Sequence, residues 1–178
     1  MVEKGRIPVG KDLSENFLPA IKDVTIFTPL LPTLSGRMPG YAIVRNPLSV
    51  VASTLSLPDP GWRAIEIYAP GLATRLKVAP DPISRELARH DFFFGLYAEH
   101  LPPENVIRYE DMVSSGGKAL SIITSSANLL NEPLKSRNLN PLYDRDAMLR
   151  IGERLLGREG AYWRFYTRES VEGLLAAV

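Results

Sequence analysis

The run YAIVRNPLSVVAST, residues 41–54, constrains the fold of this chain more than any other stretch. Tyr41 to Arg45 is a β-branched and aromatic burst of strand length. Asn46 is a favoured helix N-cap, and Pro47 suits a first helical position, where its missing N–H costs nothing. Two more bursts, VTIFT (24–28) and NVIRY (105–109), have the same character. All three read as short strands buried on both faces, because each is apolar without strict alternation.

Helical patterns lie between and after them. PLSVVASTL (47–55) turns Leu48, Val51 and Leu55 toward a core; Ile83–His100 places Leu87, Phe94 and Ala98 on one side; Met148, Ile151 and Leu155 form a stripe closed by Gly157 as C-cap. Proline-rich stretches at 28–39 and 58–82 read as loops. Strands separated by helical crossovers predict an α/β fold, a short parallel sheet of at least three strands flanked by helices. With 178 residues, residues 1–178 are expected to form a single domain.

The composition bounds function. Twenty-one Lys and Arg against twenty Asp and Glu leave a formal charge of +1, so no global field recruits nucleic acid or a membrane surface. Any anion site is therefore local. With no cysteine and two histidines, no metal site is expected. No stretch approaches the roughly 20 apolar residues of a membrane span, and no signal-peptide core is visible, so a cytoplasmic protein is expected.

Two stretches invite a phosphate. GRIPVGKD (5–12) fits G-x-x-x-x-G-K-[ST] except at its last position, where Asp12 replaces the metal-binding hydroxyl. Only Met1 to Lys4 precede it, and Pro8 lies mid-loop, so it reads as a decoy: a turn into a helix capped by Asp12 or Ser14. A P-loop kinase or NTPase is accordingly a distant reading. The second stretch is stronger. Open α/β sheets bind ligands at the carboxyl ends of their strands, where β-burst 41–45 delivers Arg45. Ser49 and Ser53 share one helix face beside it. A guanidinium, a helix N-terminus and hydroxyls make an anion site. Equally, Arg45 could pair with a carboxylate while the serines face water; local physics leaves both open.

The run IVRNP (43–47), with a serine eight residues after its arginine, resembles the 3′-phosphate-binding strand and helix of sulfotransferases that use 3′-phosphoadenosine 5′-phosphosulfate (PAPS). VIRYEDMV (106–113) resembles that family's later strand, followed by a helix such as 117–130, and AYWRFYTRESVEGLL (161–175) resembles the closing aromatic segment and final helix of bacterial members. The resemblance implies a P-loop NTPase-like sulfotransferase fold. It places Arg45 and Ser53 on the 3′-phosphate of PAPS or adenosine 3′,5′-bisphosphate and Tyr109 beside the nucleoside, with a small-molecule or glycan hydroxyl as acceptor.

The chain departs from the family in having no P-x-S-G-T-x-W-like loop and no Lys-x-His pair in TIFTPLLP (25–32). The fold is therefore expected to be N-terminally incomplete, with strand edges that either self-associate or re-pair directly, and with weak or no sulfuryl transfer. The alternative function is a non-catalytic or truncated homologue that binds a nucleotide or partner. Lys135 and Arg137 are the nearest substitutes for the family's C-terminal basic segment.

No catalytic residue is assigned. His90 and His100 are the only imidazoles, on different helix faces among charges that suggest a solvated setting; Glu66 and Glu86 are alternative bases. Asp111 reads as a helix cap rather than one of an acid pair with Glu110. Phe92, Phe93, Phe94 and Tyr97 read as core or interface, and Trp163, Phe165 and Tyr166 as packing for the final helix, although the family resemblance also allows these three near the site.

Overall fold

The computed structural model describes residue 10, residues 21–58 and residues 61–178. Apart from exposed Gly10, GRIPVGKD lies outside the described residues, and so does the helix cap expected at Asp12 or Ser14. Two of the expected strands form: β1 (Ala42–Val44) and β2 (Val106–Arg108). They pair directly and in parallel, with Ala42 opposite Val106 and Val44 opposite Arg108. The chain is thus α/β, with a two-stranded parallel sheet and a predominance of helix.

The third expected strand is a helix. VTIFT opens α1 (Val24–Leu34), which continues through Pro29 and Pro32. Asp23 explains the start, since its carboxylate accepts from the backbone N–H of Thr25 and Ile26, each at 2.9 Å. Each proline forfeits one backbone bond of the helix. Packing against α5 (Pro82–His100) offsets this, including a buried 2.9 Å bond between Thr28 Oγ1 and the Tyr97 hydroxyl. A short apolar run does not by itself distinguish a buried strand from a buried helix.

The helices expected at 47–55, at 83–100 and along the Met148, Ile151, Leu155 stripe form where predicted. α2 (Pro47–Leu55) begins at Pro47 behind Asn46, whose side chain accepts from Leu48 N–H at 3.1 Å. α7 (Arg145–Leu156) buries Met148, Ile151 and Leu155. The proline-rich stretch expected as a loop at 58–82 instead holds α3 (Trp62–Tyr68) and α4 (Pro70–Lys77), with Pro70 at a first helical turn where proline is tolerated.

The strands are also less buried than expected. Ile43 is 49% exposed, and Arg108 faces solvent. The helix expected at 117–130 does not form: α6 (Tyr109–Ser114) ends before it, and the segment holds two short 3-10 turns, Lys118–Ile122 and Ser125–Leu129. The break has a local cause. Gly116, at φ +61°, and Gly117 close α6, with Gly117 N–H bonded to Met112 C=O and Gly116 N–H to Val113 C=O. That is the Schellman ending, which needs a left-handed residue after the cap.

The core is built around α2, which packs on α5, α7 and α8 (Arg168–Leu175). Leu48, Val51, Leu87, Phe93, Ile151, Leu155, Tyr162 and Val171 are almost fully enclosed. Phe93, Phe94 and Tyr97 belong to this core, as expected. No helix among the described residues is long and apolar enough to cross a membrane.

Asp81 fixes the start of α5. Its carboxylate accepts from Ile83 and Ser84 N–H and from Arg154 Nη1 at 2.7 Å, and the Arg154 bond, with those from Ser84, holds its pKa well below the usual carboxylate range. Asp81→Ala should cost about 1 kcal/mol, the usual worth of a helix cap, with little added by the solvent-screened ion pair. Urea unfolding measures it, and an unchanged midpoint would refute the cap's role.

Candidate functional site

Arg45 leaves the carboxyl end of β1 and is clasped by the loop before α7. Nε donates to Asn138 Oδ1 at 2.8 Å, Nη1 to the Tyr143 hydroxyl at 3.2 Å, and Nη2 to the Arg137 carbonyl. Its guanidinium carbon stands 5.1 Å from the centre of the Tyr109 ring and 5.9 Å from that of Tyr143. Every hydrogen-bond partner is neutral. Among the described residues no carboxylate pairs with Arg45, so that alternative does not hold, and its positive charge is uncompensated. Three of a guanidinium's five donors are used, leaving two.

The serines of α2 divide. Ser49 is fully buried and faces neither water nor a ligand, because its hydroxyl donates to Asn138 C=O at 3.0 Å. Ser53 is one turn further along the same face, half-buried, and its hydroxyl has no hydrogen-bond partner among the described residues. Tyr109 is the first residue of α6 rather than the end of a strand. Its hydroxyl accepts from Arg137 N–H at 2.9 Å and lies 3.5 Å from the Lys135 carbonyl. The structure therefore brings Arg45, Tyr109 and the segment 135–138 together, the last through its backbone and Asn138. Lys135 and Arg137 reach this site, though their charged side chains make no described contact there.

Glu110 holds the assembly in place. Oε1 accepts from Asn46 N–H at 3.1 Å and from Asn138 Nδ2 at 2.7 Å, and Oε2 accepts from the Tyr166 hydroxyl at 2.7 Å. Tyr166 also lies 3.1 Å from Val44 C=O, and Asn46 Nδ2 donates to Ser170 C=O at 3.1 Å. One carboxylate thus joins the end of β1, the start of α2, the clasping loop and the C-terminal segment. Burial pushes the Glu110 pKa up, but hydrogen bonds from Tyr166, Asn138 and the backbone outweigh it and leave the carboxyl below its ordinary pKa. Tyr166 is held far above its ordinary value, first by burial and then by Glu110. Asp111 is exposed within the first turn of α6 and is not its cap, which is Arg108.

A pocket of about 420 Å³ lies beside this assembly. Ile43, Val44, Arg45, Val50 and Thr54 line it from β1 and α2, Asp23, Val24 and Thr25 from the start of α1, and Arg89, His90, Phe93, Phe94 and Tyr97 from α5. The histidine expected in a solvated setting is buried here, as is its neighbour Arg89. Burial, then the charge of Arg89, pushes His90 down to about 3, so it is neutral at pH 7. Thr54 Oγ1 gives its proton to Val50 C=O at 2.9 Å and so accepts from His90 Nε2 at 3.0 Å. That leaves the imidazole lone pair on Nδ1. His100 is partly exposed, 3.9 Å from the Glu99 carboxylate. Glu66 pairs with Lys77 on the surface, whereas Glu86 is buried.

Glu110, Asn138, Tyr143 and Tyr166 carry the site; of these the family resemblance allows only Tyr166 near it, and sequence reasoning assigns none a role. Asn138 sits in a segment without periodicity, and its role depends on contacts 93 residues away in the chain. Glu110 did carry a signal, as the acid beside Asp111 at the end of a strand.

Because Glu110 has a lowered pKa, its stabilisation is fully present above the unfolded value near 4.5 and is lost as pH falls through the folded value. Glu110→Gln should cost roughly 2 kcal/mol at pH 7, through loss of charge-assisted hydrogen bonds, and should flatten the fall in stability below pH 4.5. Urea midpoints across pH check both; parallel pH profiles would exclude Glu110 as the group responsible. Comparison of the chain with protein-family models, with curated proteins and with solved structures finds no match.

Proposed function

We propose that β1–α2 and β2–α6 are the 3′-phosphate half of a sulfotransferase fold, and that the protein is sulfotransferase-like, moving a sulfuryl group from PAPS to an acceptor hydroxyl on a small molecule or glycan. One observation carries the reading: Arg45, uncompensated in charge, is pinned by neutral acceptors at the carboxyl end of a parallel strand, beside a helix start. A phosphate supplies the missing charge, and two guanidinium donors remain for its oxygens. Ser53 offers a hydroxyl without a protein partner, and Tyr109 an aromatic face.

Clasped by Asn138, Arg137 and Tyr143, the guanidinium has little rotamer freedom left to lose on binding. PAPS supplies the sulfuryl group, which leaves the bridging phosphate oxygen for the acceptor oxygen as the acceptor's proton departs. The chain's part is to fix the nucleotide and orient the acceptor, which for such transfers is most of the catalysis. A binding module of the same ancestry would use the same residues without transfer.

Arg45→Ala should weaken binding of adenosine 3′,5′-bisphosphate by roughly 1.5–3 kcal/mol in calorimetry, the worth of charge-assisted hydrogen bonds. Ser53→Ala breaks no described hydrogen bond and should weaken it by about 1 kcal/mol without altering stability. Unchanged affinity in both variants removes the ligand role from this site. Transfer of radiolabelled sulfate from PAPS to a panel of phenols and glycans then separates enzyme from binding module.

A further inference from the structure

Arg89 is a buried cation short of partners. It is 4% exposed, yet neither Nε nor Nη1 makes a hydrogen bond, and its contact with opposite charge is Glu86 Oε2 at 3.3 Å. Glu86 is shared, since Arg85 Nε lies 3.8 Å from Oε1. With Glu86 shared and two of its own nitrogens unbonded, Arg89 is an under-compensated cation in the interior, the Arg85 side chain being itself 36% exposed. An uncompensated interior charge is costly, and an incoming anion removes that cost.

Arg89 lines the pocket described above, which has the size of a small-molecule site. Asp23, the only acid on the wall among the described residues, has Oδ1 committed to Thr25 N–H, Thr25 Oγ1 and Ile26 N–H at the start of α1. Arg45, also on the wall, commits three of its five donors to the loop before α7, and the remaining two are those the nucleotide reading uses. His90 is neutral, so Arg89 is the cation available inside. The rest of the wall is largely apolar, with Ile43, Val50, Phe93 and Phe94 among it.

We propose that this pocket binds an amphipathic carboxylate, its apolar body against Ile43, Val50 and Phe93 and its acid group on Arg89. With the free donors of Arg45 given to the nucleotide, Arg89 is the one guanidinium left among the described residues of a largely apolar wall, which suits one negative charge, whereas a phosphate dianion would demand more donors. Resting on the reading of Arg45 as nucleotide anchor, the ligand is then the acceptor, and its class is a hydroxy acid. The carboxylate site itself stands without the nucleotide.

Calorimetry without nucleotide, using para-hydroxyphenylacetate, tyrosol and tyramine, tests it, because the three share a phenol body and differ in headgroup charge. The acid should bind about tenfold or more tighter than the alcohol, as one charge-assisted contact implies, with the amine weakest. Glu86→Gln combined with Arg89→Met removes opposite charges together and should equalise acid and alcohol. Ile43→Trp, at a half-exposed wall position remote from the buried charges, should abolish binding of the acid. Equal affinities in the wild-type protein, or an acid preference that survives the double substitution, would overturn the proposal. Acid binding that persists in Arg45→Ala while nucleotide binding is lost separates this site from the nucleotide reading.

Discussion

The carboxylate of Glu110 is the point on which the candidate site depends. The sheet offers only three residues per strand, too few to hold a strand end in place by backbone pairing alone. Glu110 provides what the sheet does not. It accepts from the Asn46 backbone N–H two residues after β1, from the Asn138 side chain that itself accepts from Arg45, and from Tyr166, whose hydroxyl also reaches the last carbonyl of β1. The network is charge-assisted and half-buried, and such networks rigidify where their members are satisfied. Arg45 is oriented by a carboxylate it never touches, which leaves its own charge uncompensated.

Helix α2 divides the surroundings of β1 into two chemically distinct sides. One face, through Ser49, meets the loop that clasps Arg45, with Ser53 one turn further along it. Another, through Val50 and Thr54, borders the pocket with α5. Leu48, Val51 and Ala52 bury the remainder against the core. A nine-residue helix serves both sides because the 3.6-residue period separates positions 49, 50 and 51 by about 100° each. The arrangement puts a polar, aromatic-lined cation and an apolar pocket with a second cation on adjacent sides of one strand end. A two-part ligand, or two ligands that react, fits such a layout.

Much of this was legible from residue order. Asn46-Pro47 marked the start of α2 to the residue, and the stripe Met148, Ile151, Leu155 marked the buried face of α7. The apolar runs at 41–45 and 105–109 became the paired strands. The run at 24–28 became a helix because its Asp23 cap and its packing on Tyr97 outweighed β-branched propensity and two prolines. His90 read as solvated because charged neighbours suggested water, but its neighbour Arg89 is itself buried and meets Glu86 inside the protein. Flanking charge reports exposure only when those charges are themselves exposed.

What the chain determined by itself is local: cap chemistry, the helical period, and the delivery of Arg45 to a strand end by a strand that passes at once into a helix. These depend on neighbours within one or two turns, and such terms act before any tertiary contact exists. The tertiary structure decided which groups meet. Asn138 and Tyr143 reach Arg45 across 93 and 98 positions, Tyr166 reaches Glu110 across 56, and α1 closes the pocket over α5. No periodicity encodes such pairings, because they follow from how the apolar faces of α2, α5, α7 and α8 exclude water together and so carry their polar residues into reach of one another.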